Sequence, residues 1–386
     1  MRHVVPLALA VLTLAYGGLV VALMVGLGHV RRRRRDPAPP APDGLPTVSV
    51  IVAARNEAHH LPRLLQCLYA QDYPPDRLQL CVVDDRSEDG SWALLEAARR
   101  AHPDLLVHRV ADRLPDFAPK KRALDHAIRA SRGDILLLTD ADCAPPPTWV
   151  RAIVACYGPD TALVLGYAPF QDARPTPGLI GAALRLDLLA LGAVAAGSTG
   201  LGRPVTATGC NLSYRRSTYL AVGGFEPIRR WPSGDDDLFV LLVGALRPGA
   251  LVYALRPDTF VPQAPPASWT AFWHQRLRWA SKGLHYPPFM RAVLGIVYAL
   301  NALIVLGALA AVAGEAATAA AAGTAWGAKS ALDLTLLRQA ARAFHQPLTL
   351  GAFLVAGLLH PVYVVVFGAL GVIRPYRWKG EVHGPR

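Results

Sequence analysis

The sequence predicts an α/β domain with a mostly parallel sheet, flanked by transmembrane helices at both ends of the chain. Three observations indicate this fold class. Long stretches without charged residues occur near both ends, predicted strands alternate with predicted helices between them, and polar residues follow directly after those strands. Strands that alternate with helices imply a mostly parallel sheet covered by helices. A chain of 386 residues is long enough for such a domain together with membrane helices.

The composition excludes several classes of protein. Hydrophobic residues make up 52% and charged residues 18% of the chain, whereas a soluble globular domain carries about 25% charged residues. A disordered chain is therefore excluded, and an ordinary cytosolic protein is disfavoured. The five cysteines form no C-x-x-C pair, so neither a zinc knuckle nor a disulfide framework is indicated. Scattered cysteines fit a reducing compartment.

The first element is a predicted transmembrane anchor over residues 4–30. This stretch contains no Asp, Glu, Lys or Arg and exceeds the roughly 20 residues that span a bilayer. Five arginines follow at 31–35 and resist translocation, which places them in the cytoplasm and the N-terminus outside. A cleaved signal peptide is the alternative, but the apolar stretch is too long and its positive charges lie on the wrong flank. We expect an integral protein of the bacterial inner membrane with a cytoplasmic catalytic domain.

The net charge of +12 does not indicate a nucleic-acid partner. Most of the excess lies at 31–35 and in the basic tail 374–386, beside predicted membrane helices. Basic residues in such positions are expected to contact anionic headgroups of membrane lipids. The sequence contains no zinc finger, helix-turn-helix or RNA-binding motif, so no nucleic acid is expected among its partners.

A linker rich in arginine and proline at 31–45 leads into the predicted central domain, residues 46–290. In this domain, apolar and β-branched runs alternate with amphipathic helical patterns. The predicted strands are residues 48–53, 78–83, 107–110 and 134–139, and the predicted helices between them are residues 57–68, 91–101 and 121–130.

Polar side chains follow three of these strands, at the edge where a parallel sheet binds its ligands. They are Asn56 and Glu57, Asp84 and Asp85, and Asp140 and Asp142. Two carboxylates one residue apart after a buried strand can hold a hard divalent ion. The alternative for Asp140 and Asp142 is an ordinary loop with a helix cap before Pro145. Upstream, Lys120 and Lys121 would neutralise a phosphate or simply lie on a solvated helix face.

Two further motifs lie in the second half of the domain. Three consecutive carboxylates at 235–237 precede an apolar helix, where they would cap its N-terminus or include a general base. Gln275, Arg278 and Trp279 share one helix face, which would lie on the membrane or bind a diphosphate and a sugar ring. An apolar stretch at 179–196 is either an interfacial helix near a lipid acceptor or a core helix.

The C-terminal region, residues 291–373, contains two or three further predicted spans. Residues 292–314 and 348–373 contain no Asp, Glu, Lys or Arg. Between them, residues 315–337 are rich in alanine but include charged residues, so they form either a polar-faced third span or an interfacial helix. A cytoplasmic position of the basic tail 374–386 would require an even number of crossings after the central domain.

The order of these motifs resembles that of inverting family 2 glycosyltransferases with the GT-A fold. The membrane-embedded branch, with cellulose-synthase-like and ceramide-glucosyltransferase-like enzymes, is the most similar, and the resemblance covers roughly residues 46–285. It implies transfer of a sugar from a nucleotide-diphosphate donor, a UDP-hexose, to a membrane-proximal lipid acceptor. It also implies Mg²⁺ or Mn²⁺ as cofactor.

The resemblance implies roles for individual residues. Those implied to bind the donor are Asn56, Glu57, Asp84, Asp85, Lys120, Asp140, Gln275, Arg278 and Trp279. Asp142 and Asp140 form the D-x-D motif that would hold the metal. Asp235 and Asp236 stand where the family has an acidic pair, and the second member of that pair, here Asp236, is the general base.

Two other functions stay open. A processive polysaccharide synthase would use the same chemistry, although three or four spans leave little room for a channel within one chain. A catalytically silent membrane scaffold is disfavoured because every expected charged position is occupied. One position departs from the family pattern, since Ala54 and Arg55 stand where many relatives have an aromatic residue for stacking on the base.

Overall fold

This computed structural model describes residues 4–33, 44–171 and 178–384 of the chain. It divides into two compact units, which are described separately. The sheet unit comprises Gly28–Arg174 and Val194–Pro265, and the helical unit comprises Met1–Leu27, Pro175–Ala193 and Pro266–Arg386. Most of the predicted linker at 31–45 lies outside the described residues.

The sheet unit contains a seven-stranded mixed sheet. Its strands are β1 (Val48–Ala54), β2 (Leu78–Asp85), β3 (Leu106–Val110), β4 (Ile135–Leu138), β5 (Leu163–Gly166), β6 (Leu212–Arg215) and β7 (Leu251–Ala254). The strand order is β3-β2-β1-β4-β6-β5-β7. Strand β6 runs antiparallel to β4 and β5, and all other neighbours are parallel. A mostly parallel sheet in an α/β chain confirms the predicted fold class.

Helices precede the sheet, alternate with its strands and follow it. In chain order they are α1 (Val4–Arg32), α2 (Leu61–Tyr69), α3 (Ser91–Ala101), α4 (Pro119–Ala130), α5 (Trp149–Val154), α6 (Gly178–Gly200), α7 (Arg216–Ala221), α8 (Asp237–Leu246), α9 (Trp269–Ala280), α10 (Pro288–Val312), α11 (Ala316–Phe344) and α12 (Leu350–Ile373). A short hairpin of β8 (Tyr376–Trp378) and β9 (Glu381–His383) follows α12.

The register of the sheet brings the ends of β1, β2 and β4 to one edge. Ala54 at the end of β1 lies opposite Asp84 in β2, and β4 pairs with the other side of β1. The chain enters β4 through Gly133, where a Cβ would overlap the backbone of Ser49 in β1. Only a glycine permits this close approach of two backbones. The polar residues that follow β1, β2 and β4 therefore belong to one crevice.

The predicted elements up to β4 agree with the structure, apart from small shifts of their ends. The largest shift concerns the helix predicted from residue 57, because α2 begins only at Leu61. Residues 58–60 form a turn instead, directly after Asn56, whose φ of 52° lies in the left-handed region. A left-handed residue interrupts a right-handed helix. Strands β5, β6 and β7 were not predicted.

Asn211 joins the loops around the second half of the sheet. Its side-chain amide donates to the carbonyls of Tyr167 and Thr259, at 2.9 and 2.8 Å, and its side-chain oxygen accepts from the indole of Trp149 at 3.1 Å. Gly166 at the end of β5 leaves room for it, because a Cβ there would overlap the Asn211 side chain. A buried amide with its hydrogen bonds satisfied specifies this packing.

In the part of the chain that the structure describes, four helices are long and apolar enough to cross a membrane: α1, residues Ile180–Gly200 of α6, α10 and α12. Three of them correspond to the predicted spans at 4–30, 292–314 and 348–373. The fourth includes most of the stretch at 179–196 that was expected to be interfacial or part of the core. Half of this apolar stretch is buried, which fits both an interfacial helix and a core helix.

Helix α11 packs among the other helices of the helical unit through both small and polar residues. Ala322 of α11 lies against Gly307 of α10, where a Cβ would overlap it. Lys329 and Asp333 form an ion pair with an N–O distance of 2.6 Å. Tyr16 of α1 donates to Asp333 at 2.5 Å. These two charged residues of α11 are thus paired inside the helical unit, and α11 is not among the helices of the described residues that are long and apolar enough to cross a membrane. A polar-faced third span and an interfacial helix both stay predictions for α11.

The C-terminal hairpin packs against α9. The backbone N–H of Arg377 donates to Nδ1 of His274 at 3.2 Å. The guanidinium of Arg278 lies 5.0 Å from the ring centre of Trp378. Tyr376 is buried with Leu277 in one apolar cluster. The tail therefore lies beside the helix that precedes α10.

Candidate active site

The loops after β1 and β2 are held together by hydrogen bonds. The N–H of Asn56 donates to the hydroxyl of Ser87 at 2.9 Å, and its side-chain oxygen accepts from the N–H of Glu88 at 2.8 Å. The N–H of Glu57 donates to the hydroxyl of Ser91 at 2.8 Å. The two predicted donor-binding residues after β1 thus shape one rim of the crevice.

Asp84 is fully buried at the end of β2. One carboxylate oxygen, Oδ2, accepts from the N–H of Ser87 at 3.2 Å and lies 3.4 Å from the Arg109 guanidinium. The other oxygen, Oδ1, is buried without a hydrogen-bond partner in the described part of the chain. A buried acceptor without a partner is costly, so this atom is suited to accept a hydrogen bond from a ligand.

Asp85, the next residue, is already paired with arginines. Arg86 binds its carboxylate through two nitrogens, at 2.8 and 3.2 Å. Arg55 lies 4.0 Å away, at the position where the family pattern has an aromatic residue. Of the two predicted candidates, Asp84 rather than Asp85 therefore offers an unsatisfied oxygen.

Lys120 connects the acid after β4 with the acid before α8. Its ammonium lies 2.9 Å from Asp140 and 2.9 Å from Asp235. Burial alone would lower the pKa of Lys120, but the two carboxylates outweigh it and raise that pKa well above its ordinary value. The lysine is therefore charged at neutral pH and holds two sequence-distant acids in one place.

Asp142 completes the D-x-D motif, and its backbone is fixed by the neighbouring loops. Its carbonyl accepts from the N–H of Ala264 at 3.1 Å and from the Gln171 amide at 3.3 Å. Among the described residues, no three His, Cys, Asp or Glu side chains are grouped closely enough to hold a metal. Asp140 and Asp142 still supply the hard oxygen ligands that Mg²⁺ and Mn²⁺ prefer. They fit an ion whose other ligands come from a diphosphate and water.

The acid segment, residues 231–237, carries the three consecutive carboxylates. Asp236 is the N-cap of α8, and its side chain accepts from the N–H of Asp237 at 2.7 Å. Asp237 is buried, and its own side chain accepts from the N–H of Leu238 at 2.8 Å. Negative groups at a helix N-terminus interact favourably with its dipole. Asp236 and Asp237 thus both stabilise the N-terminus of α8.

Gly209 lies against the two carboxylates of the predicted acidic pair. A Cβ at this position would lie 3.4 Å from Oδ2 of Asp235 and 3.5 Å from Oδ2 of Asp236. Asp235 and Asp236 therefore face the same strip of backbone, and Asp235 also reaches Lys120. The T-G-C-N motif at 208–211 had no predicted role, and the structure assigns it one as a wall of the crevice.

The three residues of the Q-x-x-R-W motif lie on α9 in the helical unit. Oε1 of Gln275 and Nε of Arg278 are buried without a hydrogen-bond partner among the described residues. The Trp279 ring centre lies 4.4 Å from the guanidinium of Arg276, which forms an ion pair with Asp187 of α6 at 2.6 Å. Contact of Gln275, Arg278 and Trp279 with the donor stays a prediction.

The fold, a mostly parallel sheet flanked by helices with apolar helices at both ends, is that of GT-A glycosyltransferases. The family model described as Glycosyl transferase family 21 matches residues 9–383. The chain therefore belongs to glycosyltransferase family 21. This membership bears out the resemblance to the membrane-embedded branch of family 2-type enzymes.

Comparisons with individual proteins agree with this assignment. The chain is 31% identical over 244 residues to β-monoglucosyldiacylglycerol synthase of Synechocystis sp., covering 62% of this chain and 48% of that protein. It is 25% identical over 240 residues to the probable glycosyltransferase YdaM of Bacillus subtilis, covering 61% and 55% respectively. The chain thus spans about half the length of the curated relatives it matches.

A solved structure supports the fold. The mannosyltransferase PcManGT from Pyrobaculum calidifontis, in complex with GDP-Man and Mn²⁺, superimposes with a TM-score of 0.60 at 21% sequence identity. The match covers 95% of this chain and 99% of that one. A match at this level of identity establishes a shared fold, which here includes the helices at both ends.

Proposed function

We propose that this glycosyltransferase moves a hexose from a UDP-sugar to a lipid acceptor at the membrane, with inversion of the anomeric carbon. The observation that carries the proposal is the Lys120 bridge, because it brings Asp140 of the D-x-D motif and Asp235 of the acidic pair to one point. The similarity to β-monoglucosyldiacylglycerol synthase supports glucose as the sugar and a diacylglycerol as the acceptor. The apolar helices would hold the enzyme where such an acceptor resides.

Donor binding begins at the base. The buried Oδ1 of Asp84 lacks a partner in the described structure, and an N–H on the edge of uracil would supply one. Asn56 and Glu57 would contact the ribose side of the nucleoside. Lys120 would then neutralise charge on the diphosphate, with Gln275 and Arg278 from α9 assisting and Trp279 lying beside the sugar ring.

Asp140 and Asp142 would hold Mg²⁺ or Mn²⁺ against the donor diphosphate. When bound there, such an ion stabilises the negative charge that develops on the leaving nucleoside diphosphate. The Mn²⁺ in the complex of the Pyrobaculum calidifontis mannosyltransferase supports a divalent ion as cofactor. Lys120 remains next to Asp140 and shares the same task.

Asp236 would accept the proton of the acceptor hydroxyl as its oxygen attacks the anomeric carbon. Asp235 is less suited to this role because its carboxylate is engaged by Lys120, and Asp237 because it is buried in the helix end. Asp236 faces Gly209 beside Asp235, so it is within the same crevice. A single displacement on the face opposite the leaving group inverts the anomeric centre.

Transfer to lipid is tested directly with the full chain in detergent micelles. Radiolabelled UDP-glucose, UDP-galactose and GDP-mannose are supplied in turn with diacylglycerol and Mn²⁺, and the extracted lipids are analysed by mass spectrometry. We expect a monohexosyl lipid of inverted anomeric configuration from a UDP-hexose. A long polymer in the aqueous phase would instead show a polysaccharide synthase, and the absence of transfer from every donor would refute the proposal.

A further inference from the structure

Lys121, the neighbour of Lys120, points away from the carboxylates and into the backbone of the acid segment. Its side chain is fully buried. Its ammonium donates to the carbonyl of Trp231 at 2.6 Å and to the carbonyl of Ser233 at 2.8 Å. Two adjacent lysines at the start of α4 thus bind the same segment in different ways. Lys120 binds the carboxylate of Asp235, and Lys121 binds the backbone carbonyls just before Asp235.

A third hydrogen bond extends this contact. The N–H of Ala118, the N-cap of α4, donates to the carbonyl of Arg229 at 2.7 Å. The start of α4 therefore donates to the carbonyls of residues 229, 231 and 233. The N-terminal end of one helix therefore holds every second carbonyl along this loop. Two of these hydrogen bonds come from an ammonium group, and such charge-assisted hydrogen bonds are roughly twice as strong as hydrogen bonds between neutral groups.

The backbone after Ser233 couples the position of that residue to the positions of the carboxylates of Asp235 and Asp236. Gly234 has a φ of 94°, and a Cβ there would overlap the side chain of Leu238 in α8. The chain therefore turns tightly at Gly234, and this single residue separates the carbonyl of Ser233, which Lys121 holds, from Asp235. Asp236 then caps α8. A shift of Ser233 would have to move Asp235 and Asp236 as well.

We propose that Lys121 is a positioning residue, which holds the acid segment so that Asp236 reaches the acceptor hydroxyl while Asp235 reaches Lys120. The inference rests on the proposed function of Asp236 as general base. Lys121 touches neither donor nor acceptor in this role. Its removal should therefore slow the chemical step without weakening the binding of the nucleotide, whose nucleoside would contact the residues that follow β1 and β2.

The test compares three variants with the wild-type enzyme in micelles, using UDP-glucose and diacylglycerol as substrates and UDP as the binding probe. Lys121→Met keeps the length of the side chain but removes its donors. Lys121→Arg keeps charged donors at the same place. Arg122→Gln is the matched control on the same helix, because Arg122 binds Asp112 in an exposed ion pair away from the acid segment.

We expect Lys121→Met to lower kcat at least tenfold per folded molecule while the KM for UDP-glucose and the Kd for UDP stay within about twofold. Lys121→Arg should recover a substantial part of kcat, and Arg122→Gln should match the wild type. A Lys121→Met enzyme with unchanged kcat, or one whose KM and Kd rise as much as its kcat falls, would overturn the proposal. If Lys121→Met does not fold, Lys121→Gln takes its place, with the same expected fall in kcat and the same unchanged Kd, and an unchanged kcat in Lys121→Gln would likewise overturn the proposal. A wild-type chain that transfers no sugar would refute the proposed function instead.

Discussion

At the scale of single residues, three neighbouring aspartates have different surroundings, although their charge is the same. Asp235 is paired with Lys120, Asp236 caps α8 beside Gly209, and Asp237 is buried with its carboxylate on the N–H of Leu238. A general base needs a carboxylate that can reach the acceptor, whereas the carboxylate of Asp235 is engaged by Lys120 and that of Asp237 is buried in the helix end. This comparison supports the family-based choice of Asp236.

Asp236→Asn should abolish most of the turnover while leaving donor binding near normal. The amide keeps the side-chain oxygen that caps α8 but cannot accept the proton, so we expect kcat to fall by about 10² or more. The readout is kcat together with the Kd for UDP. Asp237→Asn is the control, because its amide oxygen can still accept from Leu238, and it should lose far less. Turnover that survives in Asp236→Asn but collapses in Asp235→Asn or Asp237→Asn would show another base.

Asp142→Ala should remove the metal dependence of donor binding. In the wild-type enzyme we expect Mn²⁺ to tighten the binding of UDP, since Asp140 and Asp142 would hold an ion that offsets the charge of the diphosphate. In the variant, UDP should bind with the same weak affinity with or without Mn²⁺. Titration calorimetry at fixed metal concentrations measures this. A variant that misfolds, while its folded fraction keeps full specific activity, would mean that Asp142 only supports the loop.

At the scale of elements, the second half of the sheet depends on polar side chains that reach between loops. Asn211 follows the T-G-C triplet and binds groups from three separate segments. The start of α4 likewise binds the backbone before α8. These contacts join elements that are far apart in the sequence.

Asn211→Leu should destabilise the sheet unit strongly. The substitution keeps the approximate size of the side chain but leaves the carbonyl of Thr259 and the indole N–H of Trp149 without their hydrogen bonds to residue 211. The carbonyl of Tyr167 keeps its hydrogen bond from the N–H of Val261. Each buried group left unsatisfied costs about 1–3 kcal/mol, so we expect a loss of about 2 kcal/mol or more in the free energy of unfolding. Thermal unfolding in micelles measures it, with the exposed Gln66→Ala as control. A midpoint within one degree of the wild type for Asn211→Leu would contradict this account.

At the scale of the whole molecule, the position of the tail constrains the topology of the chain. The β8–β9 hairpin binds α9, so both lie on one side of the membrane. We expect this side to be the cytoplasm, because the basic residues at 31–35 and 374–386 favour it. A cytoplasmic tail requires an even number of crossings between α9 and β8.

Single cysteines in a cysteine-free background should report this topology in intact spheroplasts. Arg100→Cys on α3 and Val382→Cys, whose native side chain is 64% exposed, should react with an impermeant thiol reagent only after lysis. Glu315→Cys, in the exposed turn between α10 and α11, should react before lysis because α10 ends on the opposite side. The measure is the fraction labelled before and after lysis. Labelling of Val382→Cys in intact spheroplasts would place the tail outside and contradict the topology.

The sequence by itself determined the fold class, the anchor and the main acidic groups. Long charge-free stretches avoid water, and helices that alternate with strands cover a parallel sheet. Both patterns can be recognised in short stretches of sequence. Asp84, Asp140 and Asp142 were predicted because the ends of parallel strands are known once the strands are known. Lys120 and Asp236 were selected by the resemblance to a family, since charge alone did not separate them from Lys121, Asp235 and Asp237.

The tertiary structure decided which groups each of these neighbours contacts. Lys120 and Lys121 are adjacent in the sequence, yet one reaches two carboxylates and the other two carbonyls, because successive side chains on a helix point about 100° apart. The short strands β5 to β7 and the role of Asn211 likewise depend on partners 40 or more residues away. Such long-range pairings leave no local pattern in the sequence, since they arise only when the chain has folded and distant backbone groups must find hydrogen-bond partners.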